Sequence, residues 1–80
     1  MNIYKVSHIA SCPNGQLNDC YEITIASSST IMVEFILETL KESPSEIYQE
    51  DLATLLRSKT GAEITIKGWH HGIHITTIRK

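Results

Sequence analysis

The chain has 80 residues, a net charge of −2 and an apolar share of 41%. That length allows one domain over residues 1–80 with a modest core, and little room for a pocket walled on every side. No apolar run reaches the roughly 20 residues of a membrane-spanning helix. The start, Met1-Asn2-Ile3-Tyr4-Lys5, lacks the basic and apolar stretches of a secretion signal, so the expected location is the cytoplasm. Residues 1–51 carry eight acids against two bases, whereas residues 52–80 carry one acid against five bases. Such asymmetry suggests a preferred docking face, unless folding interleaves the two parts.

Residues 3–10, IYKVSHIA, alternate with the two-residue period of a strand and place Tyr4, Val6, His8 and Ala10 on one face. Pro13-Asn14-Gly15 follows as a turn signal. Residues 20–27 alternate again, with Tyr21, Ile23 and Ile25 inward, so the first third reads as a β-hairpin. Cys12 and Cys20 flank the connection. In a cytosolic chain they are expected as thiols, because a bridge needs a geometry that spacing alone does not establish.

The hydroxyls of residues 27–30 offer caps for a helix over 31–43, whose apolar arc is wide. A helix that apolar is covered on two sides or lends surface to a homodimer. Ser43-Pro44-Ser45-Glu46 has the pattern of a capping box with proline at the first helical position. It predicts a second helix over 44–60, with Ile47, Tyr48, Leu52, Leu55 and Leu56 inward and Gly61 as its stop. Residues 62–69 and 73–80 then form a second hairpin. Ile64, Ile66, Ile73 and Ile75 face inward and pair across a tip of Trp69-His70-His71-Gly72. The order ββααββ predicts an α+β two-layer sandwich, a four-stranded, mostly antiparallel sheet with both helices on one face.

Four kinds of chemistry compete for the C-terminal hairpin. Zinc needs about four converging ligands. Cys12, Cys20, His8, His70, His71 and His74 lack the tight pairs of such sites, so no metal and no cofactor is expected and a small zinc domain is only an alternative. Nucleic acid is a second alternative, through Lys59, Lys67, Arg79 and Lys80 with Trp69 stacking on a base, although the chain as a whole is acidic. Catalysis has no assembled motif beyond a generic cysteine–histidine or histidine–glutamate pairing, and no enzyme and no catalytic residue is expected. Protein binding leads, because tryptophan is enriched among interface anchors and a free sheet edge can take a partner strand. The expected surface is Lys67, Trp69, His70, His71 and His74. The chain then reads as a small non-enzymatic regulator, an inhibitor or adaptor of the kind carried by phages and mobile elements. Its partner is a protein or a second copy, and no membrane is involved.

Overall fold

The computed structural model describes residues 1–11 and 18–80. The strands are β1 (Asn2–Ser11), β2 (Asn18–Ser27), β3 (Glu63–His70) and β4 (Ile73–Arg79), and the helices are α1 (Val33–Glu42) and α2 (Gln49–Thr60). The sheet runs β1-β2-β3-β4, every pair antiparallel. This is the expected ββααββ order, and strand alternation is what builds it. Tyr21, Ile23 and Ile25 of β2 and Ile64 and Ile66 of β3 are buried with Ile36 and Leu40 of α1 and Leu52, Ala53 and Leu56 of α2. No helix is long and apolar enough to cross a membrane among the described residues.

Both helices start later than the sequence predicts. α1 takes Met32 as its N-cap without a side-chain hydrogen bond, while Ser27 and Ser29 bond locally instead: the Ser29 N–H donates to Ser27 Oγ at 3.2 Å. The capping box at Ser43–Glu46 does not form. Ser43 closes α1, its hydroxyl donating to the Leu40 carbonyl at 2.6 Å, and α2 begins only at Gln49 after an extended Tyr48. A competing backbone partner explains the difference. The Ser11 N–H donates to Ser45 O (2.8 Å), the Ile47 N–H donates to Ser11 O (2.9 Å), and Ser11 and Glu46 form a parallel bridge. Residues 45–47 therefore satisfy their backbone against the end of β1 rather than in a first helical turn. The stripe shifts accordingly: Tyr48 is exposed, Leu55 is half-buried, and Gln49, Leu52, Ala53 and Leu56 are buried. Gly61 ends α2 as expected, at φ 69°.

The second hairpin turns at two residues, His71-Gly72, with φ 52° and 82°, the left-handed pair that suits the twist of the strands. Trp69 and His70 thus belong to β3. The register pairs Ile64 with Arg79, Ile66 with Thr77, Gly68 with Ile75 and His70 with Ile73, so the inward isoleucines do not pair with one another. Ile73 lies on the helix-side register yet is 66% exposed, and Thr77 is buried in its stead. The expected turn at Pro13-Asn14-Gly15 lies outside the described residues.

Gly68 is a point of close approach between the sheet and α2. A Cβ there would lie 2.7 Å from Gln49 Oε1 and 2.9 Å from Tyr21 Cδ1. Gly68→Ala is expected to lower unfolding stability by about 1–3 kcal/mol in urea titrations; an unchanged midpoint would show that this packing is loose. On β1, burial holds His8 below its ordinary pKa of 6.5. The unfolded state then binds more protons than the folded state as pH falls below about 6.5. Stability is complete above that pH and declines toward the depressed folded pKa, and His8→Phe is expected to flatten this slope in melts recorded between pH 5 and 8.

Candidate functional site

The histidine cluster is divided by the strand. Trp69 and His74 pair across β3 and β4 on the open face, ring centroids 4.9 Å apart and edge to face. Lys67 shares that face, whereas His70, one residue from Trp69, points toward the helices. His71 sits in the turn. The structure therefore brings together Lys67, Trp69 and His74 from the expected surface and sets His70 apart. Trp69 projects into solvent at 63% exposure and does not plug the core. Near it the open face forms a shallow depression of about 330 Å3 lined by Lys5, Ser7, Glu22, Thr24 and Lys67, among others.

The four cations considered for nucleic acid are not arranged around Trp69. Arg79 donates from Nε to Thr54 Oγ1 at 3.1 Å and lies five residues along β4 from His74, about 17 Å at the rise of a strand. Lys59 is in the last turn of α2 and Lys80 follows Arg79 at the end of the chain. Lys67 alone among the four lies beside the tryptophan. No group of three histidine, cysteine or acidic side chains placed to hold a metal occurs among the described residues. Cys20 is a free, exposed thiol, and Cys12 lies outside the described residues.

On the helix side the structure assembles a group that the sequence does not suggest. The Gln49 side chain, 1% exposed, donates from Nε2 to Ile66 O (2.8 Å), Ile75 O (3.0 Å) and Thr77 Oγ1 (3.1 Å). These acceptors fix the amide's orientation and leave Oε1 facing His70 Nε2 at 2.9 Å. An amide oxygen only accepts, so His70 carries its proton on Nε2. The Tyr21 ring lies 5.8 Å from the imidazole, and its hydroxyl reaches Ile47 O at 3.4 Å. Only a glycine at 68 leaves room for Gln49 and Tyr21 to meet here. The same end of the sheet holds the Ser11–Glu46 bridge and the His71-Gly72 turn. Three chain segments thus converge around a part-buried polar pair. A glutamine that opens a helix after an extended Ile47-Tyr48 carries no periodic signature, so nothing in the pattern marks it.

No family model and no curated protein matches the chain. Among solved structures, it is similar over 98% of its length to 89% of the archaeosine synthase QueF-Like in its apo crystal form, at a TM-score of 0.80 and 18% identity. The two chains share a fold.

The Gln49–His70 bond has a direct check. Nitrogen NMR of the imidazole is expected to show His70 protonated at Nε2 alone, and Gln49→Leu is expected to relax this toward the mixed tautomers of a free imidazole and to lower stability by about 1–3 kcal/mol, since it strips buried groups of a partner. A mixture of tautomers in the unaltered protein would contradict the assignment.

Proposed function

We propose that the protein binds a nucleobase, free or within a nucleoside, at the sheet end where His70, Tyr21 and Gln49 converge, with a preference for the larger, better-stacking purines. The observation that carries this is the part-buried Gln49–His70 pair, standing in a fold shared with a protein named as an archaeosine synthase. In this reading the half-buried His70 presents its ring to the base, while the fully buried Tyr21 and Gln49 hold the imidazole from behind, Gln49 as a positioning residue that fixes its tautomer. Buried polar networks of this kind hold one geometry at the cost of desolvation, which suits recognition of a planar ligand with directional donors and acceptors. Calorimetric titration with purine and pyrimidine nucleosides tests it. Purines are expected to bind, and His70→Ala is expected to weaken them at least tenfold, about 1.4 kcal/mol; no heat from any nucleoside, or an unaffected affinity in the variant, would remove the proposal.

Protein binding through Lys67, Trp69 and His74 is the second reading, supported by the exposed indole on the open face beside a shallow depression. It uses the opposite side of the sheet, so Trp69→Ala and His70→Ala separate the two. The first is expected to spare nucleoside affinity.

A further inference from the structure

The strand register sets three charges side by side on the open face of the sheet. One row places Ser7 of β1 opposite Glu22 of β2, and Glu22 opposite Lys67 of β3. The row beside it places Lys5 opposite Thr24. Directly paired residues, and residues two apart on a strand, share a face, so Lys5, Glu22 and Lys67 all point away from the helices. The order from β1 to β3 is cation, anion, cation. Cβ atoms of directly opposed residues such as Glu22 and Lys67 lie about 5 Å apart, and Lys5 sits on the diagonal from Glu22 at about 7–8 Å. All three side chains are exposed, yet none makes an ion pair or a hydrogen bond to another described residue.

These charges line the shallow depression of about 330 Å3, together with the hydroxyl-bearing Ser7 and Thr24. That volume stands at the small end of the roughly 300–1,000 Å3 of small-molecule sites. The charge pattern then selects among small ligands. A compact anion bridging both ammonium groups would lie over the Glu22 carboxylate and be repelled. A simple cation at Glu22 would lie between two ammonium groups. A molecule that carries a cation between two anions complements all three side chains at once. The strands bearing Lys5 and Lys67 are separated by β2, roughly 10 Å from axis to axis, and lysine heads travel on long flexible stems. Two separate anionic groups therefore suit the pair better than one phosphate or sulfate. An α-amino dicarboxylate has this arrangement, its ammonium standing between its two carboxylates. The hydroxyls of Ser7 and Thr24 both donate and accept, and they supply the further hydrogen bonds that a carboxylate needs.

We propose that the open face binds a free α-amino dicarboxylate, aspartate or glutamate, with Lys5 and Lys67 each holding one carboxylate and Glu22 holding the ammonium group. The depression lies on the opposite side of the sheet from His70 and Gln49, so the proposal does not rest on nucleobase binding.

NMR titration of the full chain at low salt, followed through its backbone amides, tests it. Glutamate and aspartate are set against glutarate, which lacks the ammonium group, and against inorganic phosphate. At least one of the two amino acids is expected to saturate with a Kd at or below roughly 1 mM, to shift the amides around Lys5, Glu22 and Lys67, and to weaken as salt is raised. Glutarate and phosphate are expected to bind at least tenfold more weakly. Lys5→Gln and Lys67→Gln are each expected to lower amino-acid affinity at least tenfold, whereas Glu22→Gln is expected to erase the preference for glutamate over glutarate. Trp69→Ala is expected to change none of this, which separates the site from the indole surface on the same face. The variants alter exposed side chains, and circular dichroism checks that each is folded. The unaltered protein decides the matter even without them: no saturation by either amino acid, shifts centred elsewhere, or glutarate or phosphate binding as tightly as glutamate overturns the proposal. A preference for glutamate that survives in Glu22→Gln overturns it as well.

Discussion

One amide organises the helix-to-sheet packing. Gln49 sits at the first position of α2, over the only point in the two central strands where no side chain intervenes, and bonds to backbone or hydroxyl oxygens of both β3 and β4. A buried amide costs several kcal/mol unless its hydrogen-bonding capacity is met, so the arrangement holds only if α2, Gly68 and His70 are all in place. That interdependence pins the helix along the strands, a constraint that the non-directional packing of Leu52, Ala53 and Leu56 on Ile64 and Ile66 does not impose by itself. The late start of α2 belongs to the same constraint. Residues 45–47 are drawn to Ser11, and the helix begins where its first side chain reaches the sheet.

Much of the fold was legible because strands write their facing into a two-residue alternation. Tyr21, Ile23, Ile25, Ile64 and Ile66 read as inward and are fully buried or nearly so, and from their spacing the four strands, two helices and single covered face follow. The helix starts were misread because capping patterns are local, and Ser43-Pro44-Ser45-Glu46 has a long-range alternative in the end of β1. The hairpin register was misread for a related reason. Pairing inward isoleucines is favourable, but a two-residue turn at His71-Gly72 dictates which residues meet, and it puts Thr77 and Arg79 opposite Ile66 and Ile64.

The candidate site was legible only as a cluster of residue types. His70, Trp69 and His74 were recognisable as unusual, yet their division between two faces depends on where the turn falls. Gln49 was invisible, since its role arises from contacts with residues 17 to 28 positions away. Gly68 carried a faint signal, being a glycine inside a strand pattern, which often marks a close approach by another group. The alternation of β3 covered it without requiring an explanation.

The left-handed two-residue turn has a consequence for how this hairpin can change. Because it hands over from β3 to β4 at a fixed parity, Trp69 and His70 are immediate neighbours in the chain while belonging to surfaces on opposite sides of a layer. Substitutions at one can be sampled with little physical effect on the other, so two unrelated selective pressures can act on adjacent codons. Inserting or deleting one residue within the β3 end would exchange their sides, turning the indole under the helices and the imidazole outward, and both surfaces would be lost in a single step.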